Sequence, residues 1–252
     1  MKKSNSILYI LLSLAVLLLG SCHVERVKGN GNIVSREIAV SDYQQILVLG
    51  NGIEANYTQS DEGPYLKIEC DQNILDLLRI ESNDQVLLIR PQNKNMTISP
   101  SRFTITARSS KLRKIKMGGS VDFVVHDSLL CGKLYIDMAG KNSIRIDSLS
   151  AEQLDCQSAG EGLLKLKGTA THTKFHSIGK NTFGALDLRT DHFDARTIGK
   201  TDMEITVLKR ITTKNVGKMK VAFQTEGHAI SRNFNSIGSA FYNTLPSKNS
   251  GL

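Results

Sequence analysis

From Lys111 onward, apolar and polar residues alternate along the chain, and a glycine interrupts the alternation about every twenty positions. With Gly119, Gly140, Gly160, Gly179, Gly199, Gly217 and Gly238 as anchors, the position four residues later is always apolar or aromatic: Phe123, Ile144, Leu164, Phe183, Met203, Val221 and Tyr242. Six residues after the anchors stand Val125, Ile146, Leu166, Ala185, Ile205, Phe223 and, as the exception, Thr244, while the positions between are mostly polar or small. Such a period of two is the mark of a strand with one face in and one face out. A second strand precedes each glycine, with Ile115, Ile136, Cys156, Phe175, Ala195, Thr213 and Phe234 four residues upstream. Each unit therefore reads as strand, glycine bend, strand and variable return. The sequences Ser177-Ile178-Gly179, Thr197-Ile198-Gly199 and Ser236-Ile237-Gly238 recur in this frame. On this reading the repeated isoleucine is a core stack and the repeated glycine a bend.

A unit of about twenty residues cannot bury an apolar face alone, so such units must stack. Helical repeats need roughly 33 to 47 residues and a 3.6-residue period, neither of which is present. The consensus leucine and asparagine positions of leucine-rich repeats are also missing. The expected fold is all-β, a right-handed parallel β-helix or β-solenoid with coils about 4.8 Å apart. Six steps between seven anchors predict a stack on the order of 29 Å tall.

Upstream the pattern is less regular. Tyr43 to Gln59 alternates around Gly50 and Gly52 and reads as a first irregular coil. Leu78 to Pro91 places a Ser-Asn-Asp turn between two apolar runs, which predicts an antiparallel hairpin. Asp71 to Leu78 suits one or two helical turns. The predicted organisation is a strand-rich N-terminal half over 30–110 that caps the stack, β-solenoid repeats over 111–245, and a polar tail over 246–252.

The first thirty residues supply an address. Lys2 and Lys3 precede an apolar run from Ile7 to Leu19, too short for a comfortable membrane span, and Leu19-Gly20-Ser21-Cys22 resembles a bacterial lipobox. Cleavage before Cys22 would remove 21 of the 252 residues and leave a lipidated cysteine followed by a tether to residue 29. The expectation is a signal peptide over 1–21 and a lipoprotein of the cell envelope, attached to the outer membrane through its N-terminal lipid. The residues after Cys22 do not decide between its periplasmic and surface faces.

Composition narrows the partners. The formal charge of +8 falls to +6 without Lys2 and Lys3. That excess suits acidic polymers or lipid head groups, whereas nucleic acid does not suit an exported protein. Cys70, Cys131 and Cys156 are an odd set without close spacing and read mainly as small buried hydrophobes, with one disulfide left open. No tryptophan is present, which weakens a sugar-binding platform.

Gly29 to Ile89, with its Gly52-Ile53 step, the following "LKIECDQNILDLL", the glycine-anchored repeats and the lipobox, resembles the bacterial auto-transporter adhesin family with a head GIN domain. The resemblance spans nearly the whole chain after Cys22. It implies a β-helix-like fold and an envelope lipoprotein, and brings no binding residues with it.

Candidate chemistry is sparse. Immediately after the bends stand Lys141, Lys180, Lys200 and Lys218, the last three on consecutive coils, a basic ridge that could face an anionic ligand. Asp137 with Asp155, or Asp187, Asp191 and Asp194, are the carboxylates that stacked coils could bring to the spacing of an inverting glycosidase. The sequence strings typical of polygalacturonases are missing. His172, His192 and His176 lie on neighbouring coils, but nothing beside them fixes a metal site, so neither a metal nor a cofactor is expected. The favoured reading is a non-catalytic, lipid-anchored envelope or surface interaction module, adhesin-like, whose partner is a glycan or an envelope protein. The competing reading is a polysaccharide-active β-helix enzyme, a pectinase-like hydrolase or lyase.

Overall fold

The computed structural model describes residues 25–246, so the predicted leader, Cys22 and the end of the polar tail lie outside the described residues. The protein is all-β. Its elements are β1 (Glu25–Lys28), β2 (Ile33–Glu37), β3 (Gln45–Gln59), β4 (Tyr65–Asp71), a single helical turn α1 (Gln72–Leu75), β5 (Leu78–Ser82), β6 (Val86–Pro91), β7 (Met96–Ser99), β8 (Phe103–Ser109), β9 (Lys114–His126), β10 (Leu129–Gln224) and β11 (Ser231–Thr244).

One continuous sheet runs β11-β10-β9-β3-β8-β4-β2. Its N-terminal edge is antiparallel, with Ile33 of β2 opposite Asp71 of β4 and Tyr65 of β4 opposite Arg108 of β8. From β8 through β3 to β9 the pairing becomes parallel. The predicted hairpin is present, Leu78 of β5 facing Pro91 of β6, and β6 lies parallel to the first half of β3.

A straight strand of 96 residues, the length of β10, would extend about 300 Å. Instead the chain returns to pair with itself. Ile136 lies opposite Ile115 and Gly140 opposite Gly119. At the other end Gly217 lies opposite Gly238 and Val221 opposite Tyr242. The anchor glycines carry the stack. A Cβ placed on Gly179 would sit 2.3 Å from the carbonyl oxygen of Gly160, and the same contact recurs at 2.3 Å from Gly199 to Gly179 and from Gly217 to Gly199. With φ between 97° and 119°, these positions combine a backbone region closed to L side chains with a contact that only hydrogen fits.

The ladder starts earlier than the sequence period indicates. Gly50 pairs with Gly119, and the register slips between Asn51 and Ile53. Gly52, with φ +67°, takes up the extra residue. Residues 60–113 separate these two levels in sequence, which hides Gly50 from a search for a twenty-residue period.

The core fills the interior with the predicted columns. Phe123, Ile144, Leu164, Phe183, Met203 and Val221 are at most 2% exposed. Phe183 packs between Phe175 and Phe193 at ring separations of 4.8 and 5.6 Å. The repeated isoleucine, in contrast, is not a core stack. Ile178, Ile198 and Ile237 are 58%, 52% and 70% exposed. Parity explains the correction: if residues four before and four after the glycine face inward, the residue one before it must face outward.

Candidate functional site

Immediately before the anchor glycines the usual burial pattern is inverted. Ser177 and Thr197 of the first two Ser/Thr-Ile-Gly steps are buried, whereas Ser236 on the last level is exposed, and the isoleucine of all three faces solvent. Ser158, Ser177, Thr197 and Asn215 are all buried, and each finds a hydroxyl or amide partner on a neighbouring level. The Ser158 hydroxyl donates to Asn181 Oδ1 at 2.5 Å, Ser177 meets Thr201 at 3.2 Å, and Thr197 donates to Asn215 Oδ1 at 2.8 Å. Paired in this way, buried hydroxyls and amides avoid the desolvation penalty of an unsatisfied polar group.

The outward ladder consists of Ala139, Ala159, Ile178, Ile198, Val216 and Ile237, and it lines a groove of about 540 Å³. Single exposed apolar side chains are ordinary on a protein surface, but a contiguous line of them marks a contact surface. Here the line is enforced by register, since Val216 lies directly opposite Ile237 and Ala139 opposite Gly118.

Basic residues line one side of the ladder and recur beyond the glycine. Two positions upstream, His176, Arg196 and Lys214 form one wall of the groove. Burial, followed by the nearby Arg196 guanidinium, holds the His176 imidazole below its ordinary pKa, which keeps the ring neutral at pH 7. Two positions downstream, across the glycine, stand Lys180, Lys200 and Lys218, all exposed. The glycine contacts that stack Gly179, Gly199 and Gly217 place these lysines on successive levels, about 5 Å apart. Lys141 lies two levels below Lys180, with Glu161 between them, and is paired in register with Ser120.

Some cations elsewhere on the stack have acidic partners. Lys116 pairs with Asp137 at 3.3 Å and Lys133 with Asp155 at 3.7 Å. Lys209 pairs with Asp191 at 2.7 Å, and Arg210 with Asp194 at 3.6 Å. Among the described residues, no carboxylate forms an ion pair with Arg196, Lys214, Lys180, Lys200 or Lys218.

The carboxylates considered for catalysis do not share a groove. Asp137 lines the groove edge, held by Lys116, whereas Asp155, Asp187, Asp191 and Asp194 are not among the residues lining it. The His172 and His192 rings stack at 4.9 Å, as their equal distances from the anchors suggest, while His176 stands apart on the groove wall. Among the described residues, no cluster of three or more histidine, cysteine or acidic side chains is placed to hold a metal. Cys70, Cys131 and Cys156 are free thiols. Burial pushes the first two up to about 11 and raises the third as well, which keeps them protonated and unreactive at neutral pH.

Sequence reasoning singled out the lysines after the glycine and missed the apolar ladder before it. The signal was present as parity: isoleucine occupies an odd offset from the glycine, whereas the core columns occupy even ones.

Comparison with known proteins agrees with this geometry. The family model described as "Putative auto-transporter adhesin, head GIN domain" matches residues 42–225. A solved structure of a "putative adhesin" from Bacteroides fragilis is 25% identical and superposes with a TM-score of 0.77, covering 87% of this chain and 100% of its own. A "putative lipid binding protein" from Parabacteroides distasonis is 22% identical with a TM-score of 0.71, covering 88% of this chain and 100% of its own. A "putative adhesin" from Parabacteroides merdae, 20% identical, gives 0.65 over 88% of this chain and 100% of its own. The latter two likenesses concern the fold. No curated protein matches the sequence.

Proposed function

Because the chain belongs to the auto-transporter adhesin family with a head GIN domain, we propose that it is a non-catalytic interaction module of the cell envelope, adhesin-like, held at the outer membrane by a lipid on Cys22. We further infer that its parallel levels are coils of a right-handed β-helix, stacked as the register of β9, β10 and β11 supports. The partner meets the flank of that stack, not a catalytic cleft.

The observation that carries this reading is the inverted wall: isoleucines outside, hydroxyls inside, with Arg196 and Lys214 unpaired along the groove. Exposing such a ladder has a cost in solubility, which a bound partner offsets. The competing enzyme reading needs carboxylates that converge on one bond. Four of the five candidates are instead engaged with lysine or arginine at the distances given above.

The test is a binding screen of the protein on acidic and neutral glycans, including polygalacturonate, with product release followed in the same wells. Salt-sensitive binding without product, reduced when Lys180, Lys200 and Lys218 become alanine, is expected. Unsaturated or reducing ends would establish catalysis and end the module reading. The anchor is tested separately: Cys22→Ala should release the protein from the membrane fraction.

A further inference from the structure

The groove is apolar along its floor and cationic along one rim, and few ligands use both features. An acidic polysaccharide would engage the lysines but leave Ile178, Ile198, Val216 and Ile237 facing water. A neutral apolar ligand would cover the isoleucines and ignore the unpaired cations. We infer that the groove seats one acyl chain of an anionic lipid, laid along the isoleucine ladder, with its carboxylate or phosphate head held by Arg196 and Lys214. This rests on the reading of the groove as the partner-facing surface and names the chemistry of what fills it.

Dimensions agree with that occupant. Ile178 to Ile237 spans three steps of the stack, about 14 Å. One acyl chain spans half of a bilayer hydrocarbon core of about 30 Å, the same length. A groove of 540 Å³ falls within the range of roughly 300 to 1,000 Å³ found for small-ligand sites. Towards its other end the ladder narrows to Ala139 and Ala159, whose small side chains leave room in the floor.

Charge then orients the lipid. Arg196 and Lys214 line the stretch where the isoleucines lie. Asp137, paired with Lys116 at 3.3 Å, marks the opposite end. A charged head is therefore drawn towards the isoleucine end of the groove. Because that head meets guanidinium and ammonium groups without competing carboxylates, the pairing is charge-assisted and salt-dependent.

The experiment uses the full chain in nanodiscs of neutral phosphatidylcholine, exposed to a diazirine-bearing fatty acid or to its uncharged methyl ester. Cross-linked peptides are then mapped by mass spectrometry. The acid should label the segments carrying Ile178, Ile198 and Val216, and the ester should label them about tenfold less, a difference of roughly 1.4 kcal/mol. Ile198→Asn, on an outward position, should abolish labelling at an unchanged melting temperature, and Arg196→Gln with Lys214→Gln should erase the preference for the acid. Equal labelling by acid and ester, labelling scattered over the surface, or labelling undiminished in Ile198→Asn would overturn the proposal. If acidic glycans still bind where the acid gives no groove label, the lipid assignment falls while the interaction module stands. Failure of both binding assays removes both.

Discussion

The stacked levels over 114–244 and the N-terminal part over 25–109 share one sheet, the β1–β7 pair aside, yet they are held together differently. In the stack each contact is made once and then repeated: glycine on glycine, phenylalanine beside phenylalanine, hydroxyl to hydroxyl. In the N-terminal part the decisive contacts occur once and join residues far apart in sequence. Buried Asp71 accepts hydrogen bonds from the Gly31 amide at 2.7 Å, the Ser101 amide at 2.8 Å and the Ser101 hydroxyl at 2.7 Å, tying together three segments. Tyr57 likewise meets the Ser109 hydroxyl at 2.8 Å. Repetition distributes stability over many equivalent interfaces, whereas a single junction concentrates it.

The sharpest way to break the stack is to add one methyl group at its most repeated contact. Gly179→Ala would place Cβ 2.3 Å from the Gly160 carbonyl oxygen at a φ of +108°. Relief would require the levels to separate, so a loss of about 4 kcal/mol or more is expected. Gly132→Ala is the control, because nothing lies within 4 Å of its Cβ position, and it should change stability by no more than about 0.5 kcal/mol. Urea unfolding measures both. Equal losses would show that the glycine ladder is not what sets the spacing.

The N-terminal junction should break at Asp71. Burial alone would push its carboxyl up, but the Ser101 hydroxyl and the Gly31 and Ser101 amides hold it below the ordinary carboxylate value. Asp71→Ala leaves those donors without their acceptor and should cost about 3 kcal/mol. The pH dependence has a fixed sign. A carboxyl with a folded pKa below its unfolded value near 4 stabilises fully above that value, and the contribution fades as pH falls through the folded pKa. Acid unfolding of the native protein should therefore show a drop below pH about 4 that is smaller in Asp71→Ala. An identical acid limb in both proteins would remove Asp71 from the account.

How much of this was legible follows from the same contrast. The +4 and −4 columns, such as Phe183 and Phe175, recur often enough for sequence alone to place them in the core. The Leu78 to Pro91 hairpin was readable because its turn residues are local. Asp71 was not, since the amides it accepts from lie 30 and 40 residues away, and no period links them. Gly50 escaped for a related reason: a long excursion separates it from Gly119. At the candidate site the lysines after the glycine were visible as a column, but the ladder was read inside out. Hydrophobicity was given precedence over parity, and at Ile178 and Ile198 the two conflict.

That conflict yields the smallest and most discriminating effect. Burial of the repeated isoleucine, as hydrophobicity alone suggests, would make Ile198→Ser cost about 3 kcal/mol or more, the range for truncating a core side chain and burying a hydroxyl. At 52% exposure the substitution removes little buried area and should change stability by no more than about 0.5 kcal/mol. Thr197→Val, one residue earlier, should behave oppositely despite adding apolar surface, because Asn215 Oδ1 loses the hydroxyl that donates to it at 2.8 Å. A loss of about 1 to 2 kcal/mol is expected there. If serine at 198 proves harmless and valine at 197 harmful, the wall is polar within and apolar without. That is the arrangement the proposed interaction module requires of its outer face.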